Sequence, residues 1–264
     1  MDVVANGVRF NVEIEGADGA SWLTFCNSLN TSLPLWDDQI PAFADRYRIL
    51  RYDRRGHGKS ATPPGPYSLE GFADDVVAIW DALGIAKSHF VGLSIGGMTG
   101  QAMALNHAGR VNGLVLACTR AETDETFRAF AHKQISIVEA DGPVALSQIM
   151  PARWFTPDVQ RDRPEVIARA KDLTRATTSD GYIACARAML PLNYLERLRE
   201  VKLPTLLIAA AQDIGTPAAG MREMAKRMPH AEYVEIDPSG HLANMQQPAA
   251  FNGALAAFLD KQPR

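Results

Sequence analysis

The stretch Phe90-Val91-Gly92-Leu93-Ser94-Ile95-Gly96-Gly97 decides how the rest of the chain is read. It joins a short apolar run, Ser88–Leu93, to a segment of helical spacing, Gly97–Asn106, through the pattern Gly-x-Ser-x-Gly. A strand that turns at once into a helix puts the intervening serine on a tight, strained turn with its hydroxyl exposed. Gly92 and Gly96 fit such a turn because a Cβ at either position would collide with a neighbouring strand or helix. The Ile95 N–H then faces the place where an oxyanion would form, helped by the positive end of the new helix. Ser94 is therefore the candidate nucleophile.

Working outward, the same alternation recurs. Towards the N-terminus, an Asn6-Gly7 turn precedes the alternating segment Val8–Glu15, which predicts a hairpin. Trp22–Cys26 and Arg48–Tyr52 read as strands, Leu35–Phe43 as a helix, and Leu69–Leu83 as a helix capped by Ser68. Towards the C-terminus, Val111–Ala117 is almost wholly apolar, as suits the middle of a parallel sheet. From about Arg120 to Leu198 only helical periods appear, around Phe127–Val138, Val144–Ile149, Val166–Thr177 and Tyr182–Leu190. Strands and helices then alternate again: Thr205–Ala211, Ala218–Arg227, Ala231–Ile236 and Ala249–Leu259. Alternation of this kind predicts an α/β fold with a doubly wound, mostly parallel sheet. The helical stretch reads as a cap inserted after the sixth strand, which divides the chain into a core, 1–119 with 199–264, and a cap, 120–198.

A serine hydroxyl is a poor nucleophile at neutral pH and needs a base, which in turn needs an orienting acid. In doubly wound sheets such groups sit on loops past the carboxyl ends of strands. Asp213 follows the strand Thr205–Ala211, and His241 follows Ala231–Ile236. The chain order Ser94, Asp213, His241 is the order of an α/β-hydrolase. Asp237 is a competing acid by proximity to His241, but its place ahead of Pro238 suits a turn former. His57 lies on a glycine-rich loop and is expected to be structural; His89, His107, His132 and His230 read as surface or helix-end residues. Cys26 and Cys118 read as small packing residues near strand ends. The second oxyanion donor comes from the loop Asn27-Ser28-Leu29, so the Leu29 N–H is paired with that of Ile95.

Composition excludes other classes of function. The 264 residues, 47% apolar and 22% charged, match an ordinary globular domain, and a net charge of −3 offers no footprint for nucleic acid or an anionic membrane. No basic n-region with a long apolar run opens the chain, and no run reaches the length of a membrane span. Three widely spaced cysteines, Cys26, Cys118 and Cys185, suit neither a disulfide framework nor a zinc site, and point to a reducing cytoplasm.

Several motifs are more particular than the general pattern. They include Asn27-Ser28-Leu29, Trp36-Asp37-x-Gln39, Arg51-Tyr52-Asp53-x-Arg55-Gly56-His57-Gly58 and Pro63-Pro64-Gly65-Pro66-Tyr67-Ser68. Others are Gly92-Leu93-Ser94-Ile95-Gly96-Gly97, Arg153-Trp154-Phe155-Thr156-Pro157, Gly181-Tyr182-x-x-Cys185 and Asp213-x-x-Thr216-Pro217. Through them the chain resembles the α/β-hydrolases over nearly its whole length, and among these the 3-oxoadipate enol-lactonases. The resemblance implies an eight-stranded α/β-hydrolase fold, with Ser94 as nucleophile, Asp213 as acid and His241 as base. It implies a small lactone of aromatic catabolism as substrate, opened with no metal or organic cofactor; composition leaves no nucleic-acid or membrane partner to expect, and the oligomeric state is open. Ser28, Arg153 and Trp154 are the candidate substrate contacts, with Arg153 a partner for a carboxylate. Two departures stand out. Asn30 occupies the place of a glycine in the lactonase loop, and Met189–Tyr194 is more apolar than the charged stretch found there. A general carboxylesterase, and a weakly catalytic ligand receptor built on the same fold, are the alternative readings.

Overall fold

In the computed structural model, which describes residues 1–262, eight strands form one sheet. They are β1 (Asp2–Ala5), β2 (Val8–Gly16), β3 (Trp22–Cys26), β4 (Arg48–Tyr52), β5 (Ser88–Leu93), β6 (Val111–Ala117), β7 (Thr205–Ala210) and β8 (Ala231–Ile236). Their order across the sheet is β1-β2-β4-β3-β5-β6-β7-β8. The β1–β2 and β2–β4 pairs are antiparallel and all the others parallel. The opening hairpin turns at Asn6 (φ 48°) and Gly7 (φ 71°), two residue types that accept left-handed backbone.

The central strands are buried on both faces, and their side chains divide by parity. On β5, Phe90 packs into one apolar cluster while Val91 and Leu93 pack into the other; on β6, Leu114 and Leu116 oppose Val115 and Ala117. That is the period of two that a strand imposes. The helices Leu69–Ala82 and Ile95–Asn106 cover one face, with Phe72, Val76, Trp80 and Met98 in its cluster. Pro248–Leu259 covers the other face through Phe251, Leu255 and Phe258. The Ser68 hydroxyl caps its helix by accepting the Gly71 N–H at 2.9 Å.

Between β6 and β7 the chain forms helices Glu125–Asp141, Leu146–Ile149, Pro151–Trp154, Pro157–Asp162, Pro164–Leu173 and Ser179–Met189. Pro151–Trp154 and Pro157–Asp162 show no period in the sequence because each is too short to repeat one. The single helix expected over Leu35–Phe43 is broken into a 3₁₀ turn, Leu33–Trp36, and one α-turn, Ile40–Phe43. Pro41 has no N–H to give and its ring would clash with a helical carbonyl four residues back, so a helix cannot run through it. His89, expected at the surface, is 1% exposed on β5, edge-on to the Tyr47 ring.

Candidate active site

Ser94 closes β5 with φ 59° and ψ −117°, a conformation that side chains rarely adopt. Three hydrogen bonds hold it: its N–H donates to Ala117 O at 2.9 Å, and its carbonyl accepts from Thr119 Oγ1 at 2.7 Å and Met98 N at 3.0 Å. A Cβ on Gly92 would lie 2.1 Å from Gly96 O, and one on Gly96 would lie 2.3 Å from Cys26 O. The two glycines flanking the turn are therefore a packing requirement, and the helix Ile95–Asn106 starts immediately after Ser94.

Asp213 and His241 meet at the same end of the sheet, on the loops after β7 and β8. His241 Nδ1 is 2.7 Å from Asp213 Oδ2, and the carboxylate is fully buried. Asp213 Oδ1 accepts the N–H groups of Gly215 (2.8 Å) and Thr216 (3.0 Å), and Oδ2 accepts Thr216 Oγ1 at 2.5 Å. Burial by itself would raise this carboxyl. The adjacent imidazole and the Thr216 hydrogen bonds outweigh it and hold Asp213 below its ordinary value. With Nδ1 committed to the carboxylate, Nε2 is the nitrogen left to exchange a proton. Asp237 is exposed, so the proximity of two residues in sequence did not make it the partner.

Ser94 and His241 line one cavity of about 90 Å³. Ser28, Leu29 and Asn30 contribute to it from the loop after β3, and Met98 from the helix Ile95–Asn106; Phe127, Phe130, Gln134, Met150, Arg153, Trp154, Tyr182 and Met189 contribute from the helices between β6 and β7. The candidate contacts Ser28, Arg153 and Trp154 are thus all on its wall, as is Leu29, while Ile95 begins the helix beside Ser94. Arg153 lies 3.9 Å over the Phe130 ring and has no ion-pair partner among the described residues. Burial lowers its pKa, against a weaker pull upward from Asp213.

The loop that carries Leu29 is fixed by side chains from elsewhere. Asn27 Oδ1 accepts from Trp36 Nε1 at 2.9 Å, and Asn27 Nδ2 donates to Tyr52 O at 3.1 Å. His57 is not on the cavity wall. It is buried behind the loop, where Nε2 accepts the Asn30 N–H at 3.0 Å. Cys26 is buried, and its Sγ is 2.9 Å from Tyr52 Oη.

The hydrogen bond from Thr216, a motif residue with no role assigned from sequence, and the wall residues Phe127 and Phe130 are what the structure adds. Phe127, Phe130, Ala131 and Gln134 are spaced i, i+3, i+4, i+7 on one helix, so their shared face was visible in the sequence although what it faces was not. Among the described residues, no group of three or more His, Cys, Asp or Glu side chains is placed to hold a metal ion, and no helix is long and apolar enough to cross a membrane.

A family model of the alpha/beta hydrolase fold matches residues 22–248. The chain belongs to the α/β-hydrolases. It is 34% identical to 3-oxoadipate enol-lactonase 2 of Acinetobacter baylyi over 98% of this chain and 96% of that protein. It is 29% identical to a putative carbamate hydrolase, RutD, of Caulobacter segnis over 97% of each. Among solved structures, the enol-lactonase from Burkholderia xenovorans LB400 superposes with a TM-score of 0.95 at 33% identity, covering 99% of this chain and 100% of that one. A thermophilic esterase from Thermogutta terrifontis superposes with a TM-score of 0.91 at 27% identity, covering 99% of this α/β-hydrolase and 98% of that chain.

Proposed function

We propose that this α/β-hydrolase is a cytoplasmic serine hydrolase that opens a small lactone, of the kind 3-oxoadipate enol-lactone represents, through an acyl-enzyme. The observation that carries the reading is the convergence of a strained Ser94 and an Asp213-paired His241 on one cavity. His241 Nε2 takes the Ser94 hydroxyl proton as Oγ attacks the lactone carbonyl carbon. Asp213 holds the imidazole tautomer and stabilises the imidazolium. The Leu29 and Ile95 amides donate to the oxyanion, each worth ~3 kcal/mol in a dry site. Collapse of the tetrahedral intermediate breaks the acyl–oxygen bond, and the ring oxygen takes the proton from His241 while remaining tethered to the acyl group. His241 then deprotonates a water that attacks the ester carbon, and Ser94 leaves with that proton. Every step is proton transfer and acyl transfer, so these residues suffice without a cofactor.

In this reading residues 120–198 act as a cap over a core of 1–119 and 199–264. Arg153 is the carboxylate partner, since it lines the cavity with its charge unpaired among the described residues. Ser28 and Trp154 complete the contacts. The apolar character of most of the remaining wall favours a second reading, a general carboxylesterase with the same three residues.

The deciding assay compares wild type and Ser94→Ala on 3-oxoadipate enol-lactone, a p-nitrophenyl short-chain ester and a simple carbamate. Rapid lactone opening that vanishes in the variant is the expected result. Ester cleavage without lactone opening transfers the assignment to carboxylesterase, and turnover of none of the three rejects the hydrolase reading.

A further inference from the structure

Asn30 has φ 59°, the left-handed region that asparagine tolerates better than most residues and glycine better still. Glycine would satisfy that backbone without burying anything polar. The carboxamide is there nonetheless: Asn30 is 2% exposed, it lines the cavity that holds Ser94, and neither Nδ2 nor Oδ1 has a hydrogen-bond partner. Nearly all buried polar groups are paired, and a buried amide left unpaired costs folding free energy that a ligand can return. On the cap side, Gln134 lines the same cavity, and its Oε1 is also buried without a partner. A carboxamide is uncharged and offers a donor and an acceptor together, which suits a neutral polar group. An anionic group is better served by Arg153 on the same wall. Asn30 directly follows Leu29, so what it touches is close to the scissile carbonyl.

We infer that Asn30 is a specificity-determining residue that hydrogen-bonds a neutral oxygen function, such as an ether, keto or hydroxyl oxygen, in the acyl part of the substrate. Gln134 supplies a second polar contact to the same group or its neighbour. The inference rests on the hydrolase reading above. It makes the enzyme select oxygen-bearing acyl groups over purely alkyl ones of equal size, because an alkyl group leaves the buried carboxamide unpaired.

The test uses p-nitrophenyl methoxyacetate and p-nitrophenyl butanoate, which share a leaving group and length and differ by an oxygen in place of a methylene. The ratio of their kcat/KM values is measured for wild type, Asn30→Gly and Asn30→Asp, with thermal unfolding as the check on folding. Intrinsic reactivity differences between the esters cancel when ratios are compared between enzymes. Glycine keeps the left-handed turn, and aspartate keeps the shape while losing the donor. The ratio is expected to fall about tenfold from wild type to each variant, the order of one neutral hydrogen bond. An unchanged ratio in either folded variant overturns the inference. Refusal of both esters by wild type overturns the hydrolase reading itself, and this inference with it.

Discussion

Thr216 Oγ1 lies 2.5 Å from Asp213 Oδ2, the same carboxylate oxygen that His241 Nδ1 approaches to 2.7 Å. One oxygen thus receives two donors, and the acid of the Asp–His pair is held ionised by a hydroxyl as well as by the imidazole. Losing the hydroxyl in Thr216→Val raises the Asp213 pKa, because a bond to the charged form is removed. The expected outcome is a roughly tenfold drop in kcat and an acid limb of the pH–rate profile displaced to higher pH, with Thr216→Ser restoring both. Steady-state kinetics from pH 4 to 9 check this; an unmoved limb in Thr216→Val would contradict it.

The φ of 59° at Ser94 is a backbone cost borne by a residue that is buried yet lines the cavity. On the proposed mechanism Ser94→Gly and Ser94→Ala should both abolish turnover, but only glycine should relieve the backbone. Urea unfolding should find Ser94→Gly more stable than Ser94→Ala by ~1 kcal/mol, strain relief less the entropy of an added glycine. Equal stabilities would mean that the turn stores no strain.

Gly56 and Gly181 bring two backbones together where the loop after β4 meets the helix Ser179–Met189. A Cβ on Gly181 would lie 2.4 Å from Gly56 Cα, and Gly56 O accepts the Thr178 N–H at 3.2 Å. Neither backbone can yield cheaply, and the helix carries Tyr182 and Met189 on the cavity wall. Gly181→Ala should cost ~3 kcal/mol of stability and also lower kcat/KM. Differential scanning calorimetry with parallel kinetics reads both effects.

His57 introduces a pH dependence of stability. Burial first, and the nearby Arg54 charge second, push its pKa down from 6.5 to about 3. Between those values the unfolded chain binds a proton that the folded protein refuses, so the contribution is intact above pH 6.5 and is lost as pH falls towards 3. Wild type should lose up to about 1.4 kcal/mol more per pH unit in that window than His57→Gln. Urea midpoints at pH 7 and pH 5 for the two proteins test it, and parallel losses would assign the acid sensitivity to other groups.

Much of the fold was legible because its determinants are local. The parity of Phe90, Val91 and Leu93, the Asn6-Gly7 turn, the Ser68 cap and the two glycines about Ser94 each act within a few residues. The order of Ser94, Asp213 and His241 along the chain was legible too, each placed just past a strand end, after β5, β7 and β8. The helix expected over Leu35–Phe43 failed for a local reason as well, Pro41 interrupting what looked like one period. The burial of His89 and the wall formed by Phe130 and Gln134 were not legible. They depend on which distant surface each residue is folded against.

Asn27 and Asn30 show where the division falls. They share a side chain and a loop, and nothing in their immediate sequence separates the roles of their carboxamides. The sequence by itself determined that a polar loop follows β3 and that a residue tolerant of positive φ stands at position 30. Only the tertiary structure decided that Trp36 and Tyr52 pair both ends of Asn27 while both ends of Asn30 stay unpaired beside Ser94's cavity. Backbone preference is a short-range property, written residue by residue. Whether a buried polar group finds its partner in the protein is decided by which segments, far apart in the chain, packing brings within 3 Å or so.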